Sequence, residues 1–290
     1  MKSIHDTYTL SNGIKIPCLG FGTYNPQGGD NVTLIRTALE VGYRYFDTAS
    51  LYETERALGC AVKESGIERK ELFIASKLWT DEMGYEETKR AFDRSLERLQ
   101  MDFLDLYLIH WPKGSENDSN WKQKIVDTWG AMEELYARGK IKALGLSNFL
   151  PHHLNVVLDN CKIMPVVDQL ELHPGYLQEA AVSYAKSKGI VLQAWSPLGR
   201  AKLLEDPFIH ALANKYGKST AQICLRFLLQ KNMIPLVKAS GLQRMKDNMD
   251  IFDFEISRED MHMVECMPQT AWSGEHPDFF IPGVLSNFNQ

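Results

Sequence analysis

The sequence predicts a single (β/α)8 barrel, and three observations carry that prediction. Short apolar runs of strand length alternate with helical patterns about eight times along the chain. No Pro/Gly/Ser-rich linker divides the 290 residues into two domains. An ionisable or hydrogen-bonding residue follows nearly every apolar run, and a barrel of this kind gathers its functional groups at the C-terminal ends of its strands.

Taken in order, residues 8–10 and 14–16 flank Asn12-Gly13, the strongest short hairpin signal, so the chain opens with a small β-hairpin. Residues 19–22 form the first barrel strand. Residues 31–41 form the first helix, with Leu34, Ile35, Ala38 and Leu39 on one face. Residues 43–46 read as the second strand, ending at Asp47. A polar loop then carries Tyr52 into a helical pattern through Ala57, Leu58, Ala61 and Val62. Further strands fall at 72–76, 104–109, 143–146, 166–170, 191–194 and 234–237, and further helices at 85–99, 124–137, 152–158, 177–188, 220–230 and 258–267. An aperiodic tail at 268–290, bearing Pro268, Pro277 and Pro282, is expected to wrap the surface at the barrel mouth. The competing doubly wound dinucleotide domain needs GxGxxG between a first strand and its helix. The nearest string, Gly20-Phe21-Gly22-Thr23-Tyr24-Asn25, lacks the third glycine and runs into Pro26-Gln27-Gly28-Gly29 instead of a helix.

Composition excludes several function classes. Hydrophobic content of 44% and charged content of 24% are those of a water-soluble globular chain, and no apolar run approaches the roughly 18 residues needed to span a bilayer. The N-terminal stretch lacks the apolar core of a signal peptide, so the chain is expected to stay in the cytoplasm. Cys18, Cys60, Cys161, Cys224 and Cys266 are odd in number, far apart and free of any CxxC pair, so they read as reduced thiols and no metal site is expected. A formal net charge of −5 offers no basic face for nucleic acid; a monomer binding small molecules is compatible with all of this.

The strand ends carry Thr23-Tyr24, Asp47 with Tyr52, Lys77-Leu78-Trp79, His110-Trp111, Ser147-Asn148, Gln169 with Glu171, Trp195-Ser196, and Lys238. Each has a bland alternative. Ser50 and Glu53 have capping-box spacing, so the loop holding Tyr52 could exist to start a helix, and Lys77 or His110 could be ordinary structural residues. Jointly, Asp47, Tyr52, Lys77 and His110 make up a proton-donor site. Reducing a carbonyl needs a proton delivered to oxygen. A free tyrosine, with a pKa of about 10, is a poor donor. A Lys77 ammonium held by Asp47 is expected to lower the phenol's pKa, with His110 orienting the carbonyl oxygen.

The stretch G-Y-R-Y-F-D-T-A-x-x-Y-x-x-E-x-x-L-G at 42–59, with F-I-A-S-K-L-W, Y-L-I-H-W-P, G-L-S-N-F, D-Q-L-E-L-H-P, A-W-S-P-L-G and K-x5-R-x3-N, resembles the aldo-keto reductase superfamily over nearly the whole chain. The resemblance implies the (β/α)8 barrel, NADPH-dependent carbonyl reduction and a catalytic tetrad of Asp47, Tyr52, Lys77 and His110. It also implies a cofactor site. Gly22 and Thr23 belong to it; Ser147, Asn148 and Gln169 would hold the nicotinamide carboxamide; Trp195 would stack on the ring; and Ser196 and Leu198 would lie along the pyrophosphate. Lys238 and Arg244 match the 2′-phosphate positions and Asn248 the adenine one. Two cations, one a planar fork, suit a phosphate. Two residues depart from the family pattern. Ala239 lacks the usual hydroxyl on the phosphate, so discrimination against NADH is expected to be less sharp, and Thr54 replaces the usual Asn. Tyr24, Trp79 and Trp111 would form an aromatic pocket wall, with Trp272, His276, Phe279 and Phe280 on the tail. The short loop at 112–120 leaves a mouth suited to small aldehydes, ketones or sugar carbonyls. The rival reading is a non-catalytic NADP(H)-binding barrel acting as a redox sensor or structural protein; the intact tetrad argues against it.

Overall fold

A computed structural model of the chain describes residues 1–25 and 28–279. Pro26 and Gln27, and Phe280, Pro282 and the rest of the tail, lie outside the described residues. Eight parallel strands close into a barrel: β3 (Gly20–Gly22), β4 (Tyr45–Asp47), β5 (Phe73–Leu78), β6 (Leu106–Ile109), β7 (Leu144–Ser147), β8 (Val167–Glu171), β9 (Val191–Trp195) and β10 (Met233–Val237), with β10 pairing back onto β3. The opening hairpin is there too. β1 (Thr7–Thr9) and β2 (Lys15–Pro17) pair antiparallel, and Gly13 takes the left-handed conformation (φ 85°) that the turn requires. Its Leu10 and Ile16 join Phe73, Leu106, Leu108, Val167, Ile234 and Leu236 in one buried cluster inside the barrel. The hairpin is therefore the plug at the end where the strands begin. Closing that end with hydrocarbon leaves the opposite mouth as the place for polar groups.

Around the barrel run α1 (Asn31–Val41), α2 (Glu55–Ser65), α3 (Tyr85–Leu99), α4 (Trp121–Ala137), α5 (Pro151–Leu158), α6 (Glu179–Ser187), α7 (Pro207–Tyr216), α8 (Thr220–Gln230), α9 (Leu242–Met249) and α10 (Arg258–Glu265). The sequence reading missed α7 and α9. The first has clear punctuation: Asp206 accepts from the backbone N–H groups of Phe208 and Ile209, Pro207 occupies the first turn, and Gly217 ends the helix in the left-handed conformation. The capping box at Ser50 and Glu53, the bland alternative for this loop, does not form. Ser50 Oγ donates to Glu82 Oε2 (2.9 Å), residues 50–52 make a single 3-10 turn, and α2 starts only at Glu55. The loop is held instead by hydroxyls: Thr54 Oγ1 lies 2.8 Å from Thr23 Oγ1 and 3.0 Å from Thr48 Oγ1, all buried. That is what Thr54 does here. No helix among the described residues is long and apolar enough to cross a membrane.

One buried group in the scaffold carries an unusual charge burden. On β8, Asp168 alternates to the face opposite Gln169, and its carboxyl oxygens make no well-aligned hydrogen bond, the backbone N–H groups of Phe149 and Gln169 reaching it only loosely. Burial lifts its pKa to about 8 against the opposing backbone N–H groups of Phe149 and Gln169. The folded chain thus keeps this proton up to about pH 8, whereas the unfolded chain releases it near the ordinary carboxylate value, so stability falls as pH rises between the two. Asp168→Asn is expected to flatten that slope and to raise Tm above about pH 8. Parallel Tm curves for the two proteins from about pH 5 to about pH 9 would show that no such titration occurs.

Candidate active site

The mouth of the barrel opens into a cavity of about 860 Å³, within the usual size range for a small-molecule site. Its floor is built from strand ends. Lys77, on β5, is fully buried and spends all three ammonium protons: Nζ donates to Asp47 Oδ1 (2.5 Å), to the Thr48 carbonyl (3.0 Å) and to Tyr52 OH (3.3 Å). Asp47 ends β4, and its other oxygen accepts from Gln169 Nε2 at 2.9 Å. Tyr52 reaches the same point from the 3-10 turn that the threonine hydroxyls anchor, with its OH 3.3 Å from His110 Nε2. Asp47, Tyr52 and His110 line the cavity, and Lys77 stands behind them. The four residues read from the sequence are therefore brought together by three different strands and one turn.

The electrostatics differ from expectation in one respect. Lys77 does not pull the phenol's pKa down. Burial, with Asp47, Tyr24 and Glu275 adding to it, holds Tyr52 well above the ordinary tyrosine value, because Asp47 neutralises the ammonium at 2.5 Å. The phenol is thus a protonated donor at neutral and alkaline pH. His110 is pushed well below its ordinary value by burial and by Lys77, so the imidazole is neutral, and its Nδ1 is buried without a partner.

Above the floor, Ser147, Asn148 and Gln169 form a linked set. Ser147 Oγ donates to the Gln169 carbonyl (3.0 Å), while Asn148 Nδ2 donates to the His110 carbonyl (3.0 Å) and to Ser147 Oγ (3.2 Å). Trp195 Nε1 donates to Asn148 Oδ1 at 2.8 Å. Asn148 and Ser196 both adopt positive φ (64° and 49°) at this mouth. The cavity continues past Gly22, Ser196 and Leu198 to Lys238, Ala239, Arg244 and the buried Asn248. Lys238 Nζ donates to Asn25 Oδ1 (3.1 Å) and Arg244 Nη2 to Ser240 Oγ (2.6 Å). Neither cation pairs with an acid among the described residues, and burial together with Arg244 lowers the Lys238 pKa. Ser240 thus brings a hydroxyl next to Arg244 where Ala239 has none.

Not every expected residue reaches the cavity. Thr23 lies behind it, its hydroxyl donating to the Asp47 carbonyl (3.2 Å). Tyr24 packs on Tyr52 (ring centroids 4.9 Å) and Trp111 on Trp195 (6.5 Å), while Trp79 lies edge-on to His110 (5.0 Å). Trp272 stacks on Tyr176 (6.2 Å) and is not brought into the wall. The tail does more than wrap the surface. Glu171, buried at the end of β8, accepts from Ser273 N (2.9 Å) and Ser273 Oγ (2.7 Å), and Glu275 pairs with Arg200 at the cavity rim. Arg200 and Glu275 were not read from the sequence, although a cation two residues past Leu198 was a usable signal. Farther out, Asp278 accepts from His152 Nε2 (3.0 Å) and His153 Nε2 (2.9 Å), a trio with the make-up of a metal site. The Leu150 N–H, however, donates to His153 Nδ1, which keeps the proton on Nε2 and makes that nitrogen a donor to Asp278, not a ligand. We read the trio as a tether for the tail.

A closed parallel barrel with buried acid, base and phenol at its C-terminal mouth defines a class of enzyme, and sequence comparison defines it further. The chain belongs to the Aldo/keto reductase family, whose sequence model matches residues 18–267. It is an oxidoreductase acting on carbonyl and alcohol groups. It is 44% identical over 277 residues to a glyoxal reductase of Bacillus subtilis, covering 95% of this chain and 98% of that protein. Among solved structures, an aldo-keto reductase from a Medee basin deep-sea metagenome library superposes with a TM-score of 0.89 at 36% identity, covering 94% of this chain and 99% of that one. A Bombyx mori aldo-keto reductase solved in complex with NADP gives 0.82 at 32% identity, covering 91% and 92%.

Proposed function

We propose that the protein reduces small aldehydes, ketones or sugar carbonyls with NADPH, Tyr52 acting as the general acid. The observation that carries this reading is the Lys77 ammonium, clamped by Asp47 and donating to a Tyr52 hydroxyl that opens onto the cavity. When bound, the nicotinamide supplies the hydride. Tyr52 gives its proton to the carbonyl oxygen, and the Lys77 N–H stabilises the phenolate that remains. Neutral His110 turns Nε2 toward the Tyr52 hydroxyl, where a carbonyl oxygen accepting the proton would also lie. Tyr24, Trp111 and Trp195 give the reacting centre an aromatic lining. The glyoxal reductase among the relatives supports the small end of this substrate range.

The residues present fit the dinucleotide. Two neighbouring cations without an acid partner suit a dianionic phosphate and would repel each other if left alone. The carbonyl-reducing activity is tested by following NADPH consumption with glyoxal, simple ketones and keto-sugars; no turnover with any of them would overturn the reading. Arg244→Ala is expected to weaken NADPH by roughly 10- to 150-fold, the scale of a charge-assisted hydrogen bond of about 1.5–3 kcal/mol, while NADH is almost untouched. Fluorescence titration with both dinucleotides decides it, and equal losses would mean that Arg244 does not read the phosphate.

A further inference from the structure

We propose that Gln193, held by Tyr45, is a positioning residue that takes up the second N–H of the Gln169 amide, whose orientation Asp47 sets, and so makes the site select a cofactor ring bearing a primary amide. The argument starts at Asp47, whose carboxylate only accepts. With Oδ1 taken by Lys77, Oδ2 accepts from Gln169 Nε2 at 2.9 Å, so the nitrogen of that amide must face inward. The second Nε2 proton goes to Gln193 Oε1 at 2.9 Å, which in turn requires Gln193 Nε2 to point away, and it donates to Tyr45 OH at 2.7 Å. Asp47, Gln169, Gln193 and Tyr45 are all buried, so each step of this chain is protected from water.

The scaffold is shaped for the contact. Gln169 and Gln193 are direct register partners on β8 and β9. Tyr45 stands two residues before Asp47 on β4, so both point into the barrel. Its ring packs edge-on against Phe73 (4.9 Å) and fills space that any side chain at position 20 would take: a Cβ on Gly20 would lie 2.7 Å from the Tyr45 ring. With both donors of Gln169 spent, only Oε1 remains for the cavity it lines. Asn148 is in a similar state, since its two donors serve His110 and Ser147, and the Ser147 hydroxyl proton is spent on the Gln169 carbonyl. All three groups therefore present lone pairs. Such a surface recognises a donor, the N–H of a carboxamide, and leaves a carbonyl-only substituent unmatched.

The proposal rests on the reading that the nicotinamide lies against Gln169, and its test separates the two. Equilibrium binding of NADPH and of its 3-acetylpyridine analogue, in which a methyl ketone replaces the amide, is measured for wild type, Gln193→Leu and Tyr45→Phe. The wild type is expected to bind the analogue about tenfold more weakly, the scale of a buried hydrogen bond left unmade. In Gln193→Leu the Gln169 amide is held by Asp47 alone and can tilt its freed N–H toward the acetyl oxygen, and the ratio is expected to fall to about two- or threefold. Tyr45→Phe removes a single oxygen, so its ratio should lie between the two, and it decides the matter alone if Gln193→Leu does not fold. General loosening of the barrel weakens both ligands alike and leaves the ratio where it was. An unchanged ratio in folded variants that bind both ligands overturns the positioning role and leaves the cofactor reading standing. Absence of saturable binding of either ligand to the wild type overturns both.

Discussion

Tyr52→Phe is expected to lower carbonyl reduction by about 10²- to 10⁴-fold, the range for losing a positioned general acid. Only one oxygen is removed. The phenol ring keeps its contacts with Tyr24 and His110, and the Lys77–Asp47 bond does not depend on it, so the cavity walls and dinucleotide affinity should persist. The loss should appear in kcat with little change in the cofactor Kd. The pH dependence follows from the same geometry. Burial and Asp47 hold the Tyr52 proton well above the ordinary tyrosine value, so the wild-type rate should show no loss from phenol ionisation below about pH 10. Near-native turnover in Tyr52→Phe would remove the residue from the chemistry. A wild-type alkaline limb near neutrality that vanishes in the variant would instead show that Lys77 does depress the phenol.

Lys77→Met should be the most destabilising of the changes considered, at about 3–5 kcal/mol, because it strands a buried carboxylate. Asp47 would keep the Gln169 bond and lose its charge partner at 2.5 Å. The Thr48 carbonyl and Tyr52 OH would each lose a donor as well. Replacing both charges is another matter, since a neutral isosteric pair avoids the desolvation cost that the ion pair carries. Lys77→Met with Asp47→Asn should therefore recover most of the lost stability. Activity should stay low in both proteins, because the donor that steadies the Tyr52 phenolate is missing in each. Urea unfolding and turnover of the two single variants and the double variant complete the cycle. If activity returned with stability, the pair would be scaffold only.

Much of this architecture could be read from local pattern. Asn12-Gly13 announced the hairpin, and the apolar periodicity located every barrel strand within a few residues, since strand length and spacing are local properties. Asp47, Lys77 and His110 were legible because each follows or ends an apolar run. Other features depend on contacts between distant segments. Gln193 and Tyr45 are 148 positions apart and meet only once the barrel has closed in a particular register. A polar residue inside the run V-L-Q-A-W was their one local sign. The sign of the Tyr52 shift was misjudged for the same reason. Sequence puts a lysine near the phenol but does not say that Asp47 is closer to that lysine, or that burial and Asp47 act together to hold the phenol's proton. Likewise Glu275 was one more charge in an aperiodic tail until Arg200 stood opposite it.

Asp47, Lys77 and His110 sit on strands or directly at their ends and Tyr52 on the threonine-anchored turn after β4, whereas Tyr24, Trp111, Arg200 and Glu275 hang from the other connecting segments and the tail. Changes to this chain are therefore expected to fall into two groups. Insertions and exchanges after β3, after β6, or in the stretch around Ser273 alter the opening through which molecules enter, while the strand ladders that aim Asp47 and Lys77 stay as they are. A lineage descended from this chain can change what it consumes by drift in its loops, one residue at a time, without passing through an ancestor that has lost its chemistry.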